Sequence, residues 1–252
     1  MRSLLAVALL ATWIAPAVAQ TPGVHLSWSE CLPKGGTRNM DFSCGTADGV
    51  ETLLMTFSPE VPASQVFGLE ARIDISTLPT GGVGPVLPSW WQLELGGCRY
   101  GSMTFSLDYT HPPYSVGAAC VDPWQSNGSG AFDYGYPSTL ASSSPSTAVI
   151  RMVGAVPTDK YFPVVPGTEY YAFRFMIDNQ KTVGLAGGAC DGCCTPMYLA
   201  PIYLKIGEPV GVGDFTLYGT TADVITWQGI GSACGPTPAR RHSWGMVKSL
   251  YR

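Results

Sequence analysis

Apolar and polar residues alternate with a period of two in one segment after another, which constrains this chain more than any other feature. Phe67, Leu69, Ala71, Ile73 and Ile75 alternate with Gly68, Glu70, Arg72 and Asp74. Successive side chains on a strand point to opposite faces, so this run predicts a strand with one buried and one wet face. Val24, Leu26 and Trp28 repeat the pattern against His25 and Ser27. Met103 to Tyr109 and Tyr171 to Ile177 repeat it again. Val50 to Phe57, Trp90 to Leu95, Ala148 to Val153, Leu199 to Ile206, Phe215 to Tyr218 and Val224 to Trp227 read as further strands. Gly, Pro and Ser clusters separate them, with 30 Gly and 21 Pro in the chain. About ten short strands with no helical stripe between them predict an all-β fold, an antiparallel two-sheet β-sandwich of jelly-roll or immunoglobulin-like type. No fixed-period repeat and no composition break divides residues 20–239, which read as one β-sandwich domain.

The first residues are of another kind. Met1-Arg2-Ser3 is followed by an apolar run from Leu4 to Ile14, then Ala17-Val18-Ala19 and Gln20. A basic start, a short apolar core and a small-x-small site read as a secretory signal peptide over residues 1–19. The apolar run is about 11 residues, against about 20 for a bilayer span. No Cys follows the site, and no second long apolar run occurs, so neither a lipid anchor nor a membrane span is expected.

Eight cysteines follow: Cys31, Cys44, Cys98, Cys120, Cys190, Cys193, Cys194 and Cys234. An even count behind a signal peptide reads as a disulfide set in an oxidising compartment. Short loops favour Cys31–Cys44 and Cys98–Cys120. One of Cys190, Cys193 and Cys194 is then expected to close on a neighbour, and another to reach Cys234. The run Cys190-Asp191-Gly192-Cys193 also matches a zinc or thiol-exchange spacing. However, no second such pair exists, and the glycine-rich flanks do not offer the helix N-terminus that lowers a thiol pKa. A structural disulfide is the reading, with no metal and no cofactor.

Catalytic signatures are sparse. The histidines His25, His111 and His242 have no acidic or nucleophilic neighbour in a known motif. Neither a Gly-x-Ser-x-Gly elbow nor a His-Glu-x-x-His occurs. Glu70 and Asp74 share a strand face with Arg72 between them, a charged outer face rather than a glycosidase pair. Asp122, Asp133 and Asp159 read as loop residues without calcium-loop spacing. A net charge of −4, with only 13% charged residues, gives no electrostatic case for nucleic acid.

Aromatic placement is more informative. Residues Cys120 to Ser144 read as a long loop rich in Gly and Ser that carries Trp124, Phe132, Tyr134 and Tyr136. Loops of that length are commonly functional. Trp90 and Trp91 stand together, so on a strand one is buried and the other exposed. These six aromatics are the expected ligand-binding residues, through stacking on sugar rings or anchoring of a protein partner.

Residues 240–252 form a basic tail. Ser243 is placed to cap a short C-terminal helix with Trp244, Val247 and Leu250 on one face. The ending Trp244-Gly245-x-x-Lys248-x-Leu250-Tyr251-Arg252 resembles the ends of uncharacterised secreted bacterial β-sandwich proteins. The Trp28-to-Cys31 opening and the Gly188-to-Cys193 run resemble theirs too. The resemblance implies a bacterial setting, secreted, periplasmic or at the cell surface, and carries no activity with it.

The expected function is that of a non-enzymatic extracellular binding or structural module, its partner a glycan or another extracellular protein. The alternative is a secreted hydrolase, glycan- or ester-directed, with a loop-built site. N-terminal sequencing of secreted protein is expected to begin at Gln20; intact Met1 in a membrane fraction would contradict the cleavage reading.

Overall fold

The computed structural model describes residues 21–79, 84–110, 114, 120–137, 146–184 and 188–229. The signal segment, the C-terminal tail with its expected helix, His111, His242 and Cys234 lie outside the described residues.

The described chain is nearly all β. Its strands are β1 (Gly23–Trp28), β2 (Asn39–Met40), β3 (Val50–Ser58), β4 (Ala63–Val66), β5 (Gly68–Ser76), β6 (Met103–Ser106) and β7 (Cys120–Val121). They continue as β8 (Ser129–Gly135), β9 (Thr147–Ala155), β10 (Phe162–Val164), β11 (Glu169–Asp178), β12 (Met197–Gly207), β13 (Phe215–Tyr218) and β14 (Ile225–Trp227). One sheet runs β1-β3-β11-β6, with β7 added to β11. A second runs β2-β14-β12-β5-β9-β8, with β13 on β12, and β4 and β10 form a small third pair. The long pairings are antiparallel; only the two-residue strands β7 and β2 join their neighbours in parallel. Among the described residues no helix is long and apolar enough to cross a membrane.

The alternating sequence of β5 builds the second sheet as expected. Leu69, Ala71, Ile73 and Ile75 are buried, while Glu70 is exposed and Arg72 and Asp74 are half-buried. The pattern fails at its first two residues. Phe67 precedes the strand and stays 37% exposed, whereas Gly68 is buried, where an added Cβ would lie 2.8 Å from the Gly154 carbonyl oxygen. The inner residues of both large sheets join one continuous apolar core. Trp28 of β1 meets Trp227 of β14, and Phe105 of β6 stacks on Phe132 of β8, at centroid distances of 5.8 Å each.

Period two misreads β11. Tyr171 pairs with Thr56 and Phe173 with Met55, so Ala172 is an extra residue in the ladder. That bulge turns Tyr171 and Phe173 to opposite faces although both are odd-numbered. Phe173 reaches Phe105 in the core, while Tyr171 stacks on Tyr109 at 4.4 Å.

Two other segments differ from expectation. Trp90 to Leu95 is no strand: Ser89–Trp91 forms a 3-10 turn behind Pro88, with the Trp91 amide donating to the Pro88 carbonyl. The turn abolishes two-sided alternation, so both Trp90 and Trp91 are fully buried. Nor is Cys120 to Ser144 one loop, for it contains β7 and β8, and Asp133 is a strand residue. Gly130, Phe132 and Tyr134 occupy alternate positions on β8. The glycine hides the pattern because an added Cβ there would come within 2.4 Å of the Val153 carbonyl oxygen.

The disulfides span the chain instead of closing short loops. Cys31 pairs with Cys120, Cys44 with Cys193, and Cys98 with Cys190. The expected Cys31–Cys44 and Cys98–Cys120 bridges are therefore absent. Cys190, Cys193 and Cys194 do not close on one another; Cys194 is itself disulfide-bonded, with its partner outside the described residues. Sequence proximity is a poor guide here because neighbouring strands come from distant parts of the chain.

On the second sheet, Ile73→Ala is expected to cost about 2–5 kcal/mol through an unfilled core site. Arg72 makes a two-point ion pair with Asp74, at 2.6 and 3.0 Å, on a partly wet face. Arg72→Ala is expected to cost no more than about 1 kcal/mol. Urea denaturation of both variants checks the contrast.

Candidate functional site

A cavity of about 540 Å³ opens where β6 and β8, the outer strands of the two large sheets among the described residues, approach each other. Its volume falls within the range of small-molecule and side-chain binding pockets. One wall is β8, through Phe132, Asp133 and Tyr134. The other is the connection between the 3-10 turn and β6, through Leu93, Glu94, Leu95, Tyr100 and Gly101, with Met103 of β6 between them.

Local chemistry holds that connection in place. Gly96 and Gly101 take φ of +88° and +86°, in the left-handed region open to glycine without strain. Amide-to-carbonyl bonds from Gly97 to Glu94 and from Arg99 to Gln92 fold it back on itself. The Cys98–Cys190 bridge ties it down, and the Lys181 ammonium donates to the Cys98 carbonyl at 2.7 Å. Arg99 is the deepest anchor. It is fully buried, donates to the carbonyls of Trp90, Gln180 and Asp178, and lies 3.5 Å from the centre of the Trp90 ring. Burial lowers its pKa to about 10, still cationic at neutral pH.

The rings divide between framework and cavity. Phe132 is half-buried, stacked on Phe105 and edge-on to Phe175. Tyr134 is buried, and its hydroxyl donates to the Trp91 carbonyl, which ties β8 to the 3-10 turn. Tyr136 is half-buried; burial first, and then the neighbouring Glu94 carboxylate, push its hydroxyl well above the ordinary value. Leu95 and Tyr100 are 83% and 61% exposed at the rim. Glu94 Oε2 is shielded from solvent and has no hydrogen-bond partner.

Of the six aromatics expected from the sequence, Phe132 and Tyr134 line this cavity, and Tyr136 stands beside it through Glu94. Trp124, Trp90 and Trp91 do not. Trp124 is fully buried against Phe162 and Phe173, and its indole N–H donates to the Ala172 carbonyl. Sequence reading missed Leu93, Glu94 and Leu95, because it made Trp90 to Leu95 a strand, and it assigned Tyr100 to no element or site. The available signal was Gly96-Gly97 and Gly101 framing Cys98.

A second polar cluster was also missed. His25, expected on a polar strand face, is 2% exposed. Its Nδ1 lies 2.9 Å from Glu169 Oε1 of β11, and its Nε2 lies 3.8 Å from Asp223 Oδ1 in a 3-10 turn before β14. Burial depresses its pKa and Arg38 opposes protonation, but the hydrogen bond and charge of Glu169, with Asp223, outweigh both and raise it above 6.5. The near-complete burial of His25 leaves a substrate no approach, so this cluster is structural. Among the described residues no group of His, Cys, Asp and Glu is arranged to hold a metal ion.

No protein-family model, curated protein or solved structure matches the chain.

His25 gives the fold a signed pH dependence. A raised folded pKa stabilises the protein fully below the unfolded value of about 6.5 and loses that contribution as pH rises through the folded value. Urea stability of the parent is expected to fall from about pH 6 upward, more steeply than that of His25→Gln. Parallel curves for the two proteins would contradict the assignment.

Proposed function

We propose that this chain is a secreted, non-enzymatic β-sandwich of jelly-roll or immunoglobulin-like type that acts as a binding module outside the cell, with the cavity between β6 and β8 as its recognition site. The carrying observation is an aromatic-walled cavity of about 540 Å³ beside β8, an outer strand among the described residues, with exposed Leu95 and Tyr100 at its rim. Large apolar side chains standing in solvent beside a concave site mark recognition surfaces. The disulfides support an oxidising compartment. The signal-like N-terminus and the resemblance to secreted bacterial proteins support export from a bacterial cell.

One observation favours a hydrolase instead: two carboxylates, Glu94 and Asp133, line the same cavity. Asp133, however, is largely exposed and turns toward Arg151 at 3.8 Å, and among the described residues no histidine, lysine or arginine lines the cavity to serve as a partner. Concave shape without convergent acid–base groups supports binding over turnover.

A screen of the purified, oxidised protein against defined oligosaccharides and peptides tests the reading. Leu95→Ala and Tyr100→Ala are each expected to weaken the ligand found by at least about 1 kcal/mol, about fivefold in Kd, with an unchanged melting temperature. Trp124→Ala is expected to lose about 3–5 kcal/mol of stability instead. Ester or glycoside turnover abolished by Glu94→Gln would establish the hydrolase.

A further inference from the structure

We propose that the occupant of this site is an extended peptide segment that pairs with the free edge of β8 and sets a lysine or arginine side chain into the cavity; this rests on the cavity being the recognition site. The backbone supplies the first argument. β8 pairs with β9 along Ser129 to Gly135 in unbroken register, and among the described residues no strand pairs with its other edge. Alternate residues of such an edge turn their N–H and C=O groups outward, ready to accept a further strand. Edges meant to stay unpaired carry lysine, proline, a bulge or very short length. β8 reads Ser-Gly-Ala-Phe-Asp-Tyr-Gly, seven residues with no lysine, proline or bulge and one charge, Asp133. Ser129, Gly130, Ala131 and Asp133 are all exposed. An added strand would gain main-chain hydrogen bonds from the edge and specificity from whatever pocket its side chains meet.

The pocket supplies the second argument. Phe132, Asp133 and Tyr134 belong both to the edge and to the cavity wall, so a strand laid on β8 passes the cavity mouth. Among the described lining residues the charged side chain set toward the cavity is Glu94; Asp133 alternates with Phe132 and Tyr134 on β8, and its carboxylate faces Arg151 at 3.8 Å. Glu94 is half-buried in the cavity wall, and the Tyr136 hydroxyl bonds its carboxylate from one side. A cationic side chain complements the charge of this carboxylate. Its aliphatic stem covers Leu95 and Phe132, its charged head donates to Glu94, and the Tyr100 ring offers a face for cation–π contact. An acidic side chain would meet the Glu94 carboxylate as a like charge. Sugar hydroxyls can also donate to Glu94, but a sugar makes no use of the strand edge.

The test uses the full oxidised protein and synthetic peptides of about nine residues, alternating threonine and valine, enough to span β8. The central residue is lysine, arginine, glutamate or norleucine. Fluorescence anisotropy is expected to rank lysine and arginine at least about tenfold tighter than glutamate. Glu94→Gln is expected to bring the lysine peptide down to the norleucine level while leaving the norleucine peptide unchanged. N-methylation of alternate backbone amides on the edge-facing side is expected to abolish binding, a readout that leaves the protein untouched. Equal affinities for basic and acidic centres, indifference to N-methylation, or no binding by any peptide overturns the proposal. A linear oligosaccharide that binds and is weakened by Tyr100→Ala, with no peptide binding, overturns the peptide while the recognition site stands. If ligands bind but neither Leu95→Ala nor Tyr100→Ala weakens them, the site itself is refuted.

Discussion

Trp227 holds the two large sheets together at one end. Its ring meets Trp90 at 4.7 Å, Trp91 at 5.7 Å, Trp28 at 5.8 Å and Phe42 at 6.0 Å. It also donates its indole N–H to the Cys193 carbonyl, one residue end of the Cys44–Cys193 bridge. Indoles bury large areas and prefer tilted or offset contacts, so one central ring can gather partners from several directions. Here it gathers β1, β14, the 3-10 turn and the loop before β3. Without Trp227, the 3-10 turn would lose its seat, and with it the connection that walls the cavity.

That dependence runs outward through Arg99. Trp90 stacks under the Arg99 guanidinium, and Arg99 fixes Cys98 and Tyr100 on either side of it in sequence. This buried cation is tolerated because three backbone carbonyls accept from it, an aromatic face lies against it and the Asp178 charge is near. The arrangement replaces an ordered secondary structure. Residues 92–102 form neither helix nor strand, yet they are pinned at Arg99 and at Cys98. The cavity wall is therefore set by a rigid point in an irregular segment, which suits a site that must present exposed Leu95 and Tyr100 without collapsing onto them.

The sequence made the fold class and the strands with clean alternation legible. Leu69 to Ile75 could be assigned to faces by inspection, since each position had a side chain that declared its side. Legibility failed where glycine, a bulge or proline removed the evidence. Gly130 is silent about its face, Ala172 shifts the parity of β11, and Pro88 converts a tryptophan pair from strand to turn. Pairing of the cysteines was illegible for a topological reason: β3 lies between β1 and β11, and β5 between β12 and β9, so contacts join segments remote along the chain. Of the candidate site, Phe132 and Tyr134 are legible as aromatics among small residues. Glu94 and Leu95 are hidden inside a segment whose composition reads as a strand, and Tyr100 lies in an irregular stretch with no pattern to mark it.

The long-range bridges also constrain how the molecule is made. A chain emerging from its N-terminus exposes Cys31 and Cys44 together well before Cys120 or Cys193 exists. Short loops close fastest, so the first bridge favoured by diffusion joins two cysteines that the native structure keeps apart. Reaching the native set then requires thiolate attack on that early bond and transfer to later partners. Each native bridge forms only after sheet pairing has brought its two ends together. Wherever that early bond forms, the yield of correctly bridged protein depends on exchange chemistry as much as on the stability of the finished fold.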